Sequence, residues 1–283
     1  MKRIIIYLGL LSIPVSCAKT PSGTADSEPV PIVFKVSEQE ISVVTKAVEV
    51  TTSNNLSSIY ISAFSGTEND VAWNNTVFIG NGGVFTTSKY WPSTNQNYSF
   101  YAANEAISYS GGRFTVSPSS TTRDIVCGYE ESSQYKGVNT ITLKHIFTRI
   151  GAVNVTAKDS YQISNLTVNV VPLVPGSSTK YDIASGTWSN PVSGTPVILT
   201  TDSFPSSKNC DFLLIPGRYK FIATWTASLD GYSETFENRE SQEFDLKAGF
   251  KYNLNCKVGG NASKLEFKFS IEDWTTSNIS IEF

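Results

Sequence analysis

Apolar residues in this chain recur at every second position, in short runs cut by Gly, Pro, Asn and Ser, which is the pattern of half-buried strands. "IVFKV" sets Ile32, Phe34 and Val36 on one face. "SIYISAF" sets Ile59, Ile61 and Ala63 against Tyr60, Ser62 and Phe64. "NYSFYAAN" alternates Tyr98, Phe100 and Ala102, and "NTITLKHIFTRIGAVNVTA" reads as two runs meeting near Gly151. "ISNLTVNVV", "DFLLI", "RYKFIATWTA", "SQEFDL", "FKYNLNCKV", "KLEFKFSI" and "NISIEF" follow. Turn signals separate them: "GNGG", "YSGGR", "VPGSS", "LDGY" and "KVGGN". No convincing long helix interrupts the series. Many strands without crossover helices predict an all-β protein of antiparallel sandwiches, not a parallel sheet. The strands are too many for one small sandwich. The polar stretch "YEESSQYKGVN", residues 129 to 139, divides an N-terminal sandwich over 31–137 from a C-terminal one over 138–283.

The first residues break the pattern. Lys2 and Arg3 precede a short apolar run, Ile4 to Val15, too short for the ~20 residues of a spanning helix. Small Ser16 then stands before Cys17. Residues 1–16 therefore read as an export signal of the type that ends at a lipidated cysteine, with Cys17 as the acylated residue. Each buried methylene adds ~0.8 kcal/mol to membrane binding, and two chains hold stably. Residues 17–30, "CAKTPSGTADSEPV", are poor in apolar groups and predict a flexible tether from the outer membrane.

Composition narrows the function. Charged residues make up 17% of the chain and the net charge is −3, with no basic cluster beyond the N-terminus, so a nucleic-acid partner is disfavoured. Beyond Cys17 the cysteines are Cys127, Cys210 and Cys256; the odd number leaves at least one free, and Cys210 with Cys256 is the pairing to consider. A single histidine, His145, cannot build a multi-histidine metal site, and no C-x-x-C occurs, so neither metal nor cofactor is expected.

Catalysis finds little support. Glu130-Glu131 lies in a polar stretch and Glu272-Asp273 near Trp274, and neither pair carries a sign of burial. A nucleophilic triad could use only His145, which alternates with Leu143 and Phe147 like a packed strand residue. Trp73, followed by Asn74 and Asn75 in the loop-like "GTENDVAWNNTVFIGNGG", is a possible sugar-stacking group, though a loop aromatic packed on a sandwich end is the plainer reading. A lipid-anchored module binding glycans or host proteins without polymerising is thus the alternative function.

From "KYWPSTNQNYSFYAANE" onward the chain resembles the fimbrillin family, in its Mfa-like branch. Trp91-Pro92 followed by Tyr98 to Ala103 is similar to a recurring family pattern. "DIVCGY", "ITLKHIFTRIGAVNV" with His145, "LLIPG", "DLKAGFKYNLNCKV" and Trp274 continue the resemblance in order. It implies two tandem transthyretin-like β-sandwiches and a non-enzymatic pilus subunit, tip or anchor at the cell surface, serving adhesion. The implied partners are other pilus subunits, the outer membrane, and a host receptor or glycan.

The resemblance also implies an assembly route. In this family a protease cuts an early strand away, and a neighbour's strand fills the groove. Lys46-Ala47, within "VVTKAVEV", stands where the family carries such a cleavage site, with Lys in place of Arg. The displaced strand would carry Ile32, Phe34 and Val36, each worth ~1.5–3 kcal/mol on full burial. The donor would be extended and near a chain end. Leu265, Phe267, Phe269 and Ile271 form one such stripe, and Ile279, Ile281 and Phe283 another.

Overall fold

The computed structural model describes residues 31–38, 56–65, 70–81, 84–90, 97–118, 123–132, 138–173, 180–189, 197–201, 206–259, 266–273 and 278–279. Among them every regular element is a strand. The first nine are β1 (Pro31–Glu38), β2 (Ser58–Ser65), β3 (Asp70–Asn81), β4 (Val84–Tyr90), β5 (Tyr98–Ala103), β6 (Ile107–Ser110), β7 (Arg113–Val116), β8 (Val126–Ser132) and β9 (Val138–His145). Then come β10 (Thr148–Ala157), β11 (Gln162–Pro172), β12 (Lys180–Asp182), β13 (Thr187–Ser189), β14 (Val197–Thr201) and β15 (Ser206–Leu214). The last are β16 (Gly217–Leu229), β17 (Tyr232–Glu240), β18 (Phe244–Leu246), β19 (Phe250–Val258), β20 (Glu266–Asp273) and β21 (Asn278–Ile279). The all-β expectation holds.

The N-terminal unit closes on itself. Its strands pair in the order β1-β4-β3-β2-β5-β8-β9, and β9 returns to β1. Alternation explains its core: Ile59, Ile61 and Ala63 of β2, Phe100 and Ala102 of β5, Phe78, Phe85, Ile141 and Leu143 bury inward. Closure leaves one pairing parallel, β1 with β9, where antiparallel neighbours were expected. The reason is connectivity. Period-two alternation reports which face a residue occupies; it carries no information on which distant strand lies alongside, or in which direction. The same holds for β10 and β19, also parallel.

The C-terminal unit is a sandwich. One sheet runs β15-β10-β19-β20-β21, the other β14-β11-β16-β17, with β18 added to β16. Tyr219, Phe221, Ala223, Trp225 and Ala227 alternate inward along β16 to meet Ile150, Val153 and Val155 of β10 and Tyr252, Leu254, Cys256 and Val258 of β19. Two of its large buried polar side chains find carbonyl partners: the Trp225 indole donates to the Gly259 carbonyl at 3.1 Å, and the Tyr219 hydroxyl to the Ile215 carbonyl at 2.6 Å.

A third core joins the two. Phe64, Tyr101, Ile107, Phe114 and Cys127 from the first unit pack with Phe147, Tyr181, Leu213 and Ile215. Hairpin β6–β7 and hairpin β12–β13 share one small sheet through β7 and β12. Trp188 donates to the Ile146 carbonyl at 3.1 Å.

Two positions differ from the expected ones for identifiable reasons. Residues 138–145 pair with β1 and β8 in the barrel, so the change of sheet falls at Ile146–Phe147, after the point placed at 137/138. Gly151 is not a break between runs. It lies inside β10 at a register shift, where the Lys251 side chain of β19 crosses over it, 2.3 Å from where a Cβ would stand.

Candidate functional site

The residues that close the barrel are those of β1. Its backbone pairs antiparallel with β4 and parallel with β9, so both edges of the strand are engaged. In this register Phe34 stands opposite Phe85 of β4, and Val36 opposite Ile141 of β9. Phe85 and Ile141 are fully buried. Directly opposed strand residues share a sheet face, so Phe34 and Val36 fall on positions matched to the barrel interior, while Ile32 lies at a register shift between Pro31 and Val33. The strands β4 and β9 do not pair with one another. Withdrawing β1 would leave two unpaired edges flanking an apolar core, which is a template for another chain's strand.

Two glycines shape the walls of this seam. A Cβ on Gly80 would lie 2.4 Å from the Phe85 ring, and one on Gly128 would lie 2.4 Å from the Thr142 carbonyl. Phe85 therefore folds across a position that only glycine vacates, and β8 approaches β9 closely at Gly128. Gly80 opens the turn signal "GNGG" yet lies within β3, and Gly128 carries no sequence signal beyond its type. The parallel register of the seam was missed.

The remaining predicted residues are dispersed. Cys17, Lys46, Ala47, Leu265, Ile281 and Phe283 lie outside the described residues, as do Trp91, Pro92 and Trp274. Phe267, Phe269 and Ile271 lie on β20, opposite Cys256, Leu254 and Tyr252 of β19. Ile279 lies on β21, opposite Ile271. The first C-terminal stripe thus occupies an interior strand of its own sheet, while the second begins at the sheet edge.

The groups considered for chemistry have structural surroundings. Glu130 and Glu131 are adjacent on β8 and so belong to opposite faces, which rules out a pair flanking one bond. Glu272 and Asp273 are adjacent on β20 in the same way. His145 is buried at the end of β9, with Nδ1 2.7 Å from Asp124 Oδ2, itself fully buried. Around this pair Asn104 donates to the Asp124 carbonyl and accepts from the Val126 amide, each at 3.0 Å. The constellation holds the barrel end against the junction core. Burial, with the Asp124 charge second, pushes the Cys127 thiol well above its ordinary range. Burial likewise raises Cys256 to about 12. Both are free buried thiols, so Cys256 forms no bridge with Cys210. Such thiols are inert packing groups. Among the described residues no group of three or more His, Cys, Asp and Glu could hold a metal ion.

Trp73 is half-buried and stacks on Tyr98, with ring centroids 5.7 Å apart and planes at 16°. It also packs near Phe100 and Phe78. The segment read as a loop is the strand β3. Its alternation slips because Asn75 takes a left-handed backbone (φ 52) at a bulge. The Asn75 amide donates to Ser62 Oγ and its side-chain oxygen accepts from the Ile107 amide, both at 2.8 Å. The Trp-Asn-Asn run builds the barrel wall.

A family model described as fimbrillin-like matches residues 45–274. No curated protein matches. Among solved structures, a fimbrial protein from Bacteroides vulgatus ATCC 8482 is 16% identical with a TM-score of 0.56, covering 87% of this chain and 99% of its own. A proposed cell adhesion protein from Parabacteroides distasonis ATCC 8503 is 10% identical with a TM-score of 0.58, covering 87% and 97%. Another, from Bacteroides uniformis ATCC 8492, is 16% identical with a TM-score of 0.51, covering 87% and 99%. At these identities the likeness speaks to the fold.

Proposed function

Because the chain belongs to the fimbrillin-like family and is therefore a structural protein of the pilus type, we propose that it is a subunit, tip or anchor that joins its neighbours by strand exchange and serves adhesion. The observation that carries this reading is the position of β1, held between β4 and β9 with Phe34 and Val36 opposite the buried Phe85 and Ile141. A strand near the chain start that closes a barrel is the element whose loss creates an acceptor groove.

In this reading the precursor is lipidated at Cys17 and tethered to the outer membrane through residues 17–30. A trypsin-like protease cuts between Lys46 and Ala47 and releases β1. A neighbour's C-terminal segment then enters between β4 and β9. Ile279, Ile281 and Phe283 are the better donors of the two stripes, because β21 adds only two residue pairs at the sheet edge. Phe267, Phe269 and Ile271 sit in β20, which makes eight residue pairs with β19 and would be costly to withdraw.

N-terminal sequencing of the protein recovered from the cell surface tests this. A chain starting at Ala47, in polymers that resist mild denaturant, is the expected result. Monomers that all begin at a lipid-blocked Cys17, with trypsin-like treatment producing no ladder, overturn polymerisation.

A further inference from the structure

The end of the C-terminal unit remote from the barrel carries a concavity that the assembly reading does not use. β10 starts at Thr148 beside the junction and β16 at Gly217, and both run away from it. Their far turns lie together. Tyr161, Ala227, Leu229, Asp230, Tyr232 and Ser233, with Glu234, line a cavity of about 560 Å³. That volume falls in the range of small-ligand sites, roughly 300–1,000 Å³.

Both flanking turns are tight, and one is strained. Asp230 and Gly231 (φ 51 and 84) form the turn between β16 and β17, a glycine-bearing pair suited to a two-residue hairpin. On the other side the Tyr161 amide donates to the Lys158 carbonyl across Asp159 and Ser160. Asp159 and Ser160 have φ 53 and 61, so the turn that carries the chain from β10 in one sheet to β11 in the other holds two left-handed residues without a glycine. Consecutive left-handed non-glycine residues are costly, and such strain gathers at ligand clamps. Here it fixes Tyr161 at the cavity wall. Across the cavity Tyr232 is 85% exposed, the highest among the large hydrophobic side chains in the described residues.

We propose that this cavity, walled by Tyr161 and Tyr232 and edged by Asp230, Ser233 and Glu234, binds a neutral saccharide. A tyrosine ring presents an apolar face at low conformational cost and a hydroxyl at its rim. Carboxylate and serine oxygens accept hydrogen bonds from sugar hydroxyls. The lining holds two carboxylates and no cationic group, so acidic sugars are repelled. A cationic peptide is the competing ligand. Both carboxylates are solvent-exposed, however, and exposed ion pairs contribute little. The site lies at the opposite end of the unit from the junction, so it does not depend on strand exchange.

Ligand-observed NMR on the full chain, kept monomeric, tests this with lactose, maltose and mannobiose as probes. Glucuronic acid and a tetralysine peptide serve as controls. Saturable binding of at least one neutral disaccharide at millimolar affinity is expected. Tyr232→Ala should weaken it about tenfold or more, while Tyr232→Phe retains most of it. Tyr232 is so exposed that neither change should alter folding, which far-ultraviolet circular dichroism checks. No saturable binding of any disaccharide, binding unaltered by Tyr232→Ala, or tighter binding of tetralysine would each overturn the proposal.

Discussion

The two units handle the ends of their sheets in opposite ways. In the barrel, the chain's first described strand fits between two others and completes a ring, so no edge remains while it is present. In the sandwich the sheets keep open edges, and the one formed by β17 is guarded. β17 is an outer strand whose exposed residues include Glu234, Glu237, Arg239 and Glu240, and it is bent where Asn238 turns left-handed (φ 49). Charge and bulges on an edge discourage pairing with other chains. The difference teaches where a partner strand would enter in the proposed assembly. The β17 edge is guarded, whereas the barrel would offer unpaired edges only if β1 were withdrawn.

Removing residues 31–38 should break this contrast most sharply. Three apolar positions worth ~1.5–3 kcal/mol each on full burial are lost together with both strand pairings. Against a typical stability of ~5–15 kcal/mol, the barrel alone should open. Hydrogen exchange should then show β4 and β9 unprotected while β10 and β19 keep their protection. Equal loss in both units would deny the independence of the barrel.

Core truncation comes next. Phe100→Ala in the barrel and Phe221→Ala in the sandwich should each cost ~3–5 kcal/mol in denaturant unfolding, since both side chains are fully buried. Only the barrel variant should speed the exchange of β1 amides. A smaller effect is expected for Gly128→Ala, whose new methyl would meet the Thr142 carbonyl; overpacking of this kind costs ~1–3 kcal/mol and should again show in the barrel.

The smallest contrast is with pH. Burial raises Cys256 in the sandwich from about 9 to about 12, and raises Tyr101 and Tyr181 at the junction from about 10 to about 12. These groups are held neutral in the folded state. Their contribution is complete below their unfolded values and is lost as pH rises through the folded ones. Thermal melts should therefore decline above about pH 9, with the thiols of Cys127 and Cys256 unreactive until unfolding.

Much of this architecture can be read from alternation alone. Phe34, Ile59, Phe100, Phe221 and Leu254 each sit in a run whose period is two, and each run became a strand, because a half-buried strand has no other way to sort its faces. Neighbours are another matter. Nothing within "IVFKV" says that it lies parallel to "VNTITLKH", since that choice depends on how more than a hundred intervening residues fold. Bulges were likewise hidden. At Asn75 an extra residue disturbs the alternation, so β3 reads as a loop, and the glycine at the Gly151 register shift draws the junction of two runs away from Ile146–Phe147, where β9 gives way to β10. The cavity at the far turns escaped for the same reason: Tyr161 and Tyr232 are remote in sequence and meet only through the pairing of β11 with β16.

The central claim is that β1 must leave the barrel before the chain can join a neighbour, and a reversible lock on that strand tests it most directly. Lys35 and Thr140 are partners across the β1–β9 seam. The double substitution Lys35→Cys with Thr140→Cys should form a disulfide on oxidation. Treated with a trypsin-like protease, the oxidised form should stay monomeric, and the same sample after reduction should give polymer ladders. Ladders of equal extent in the oxidised form, with the cross-link verified by mass, would contradict the account.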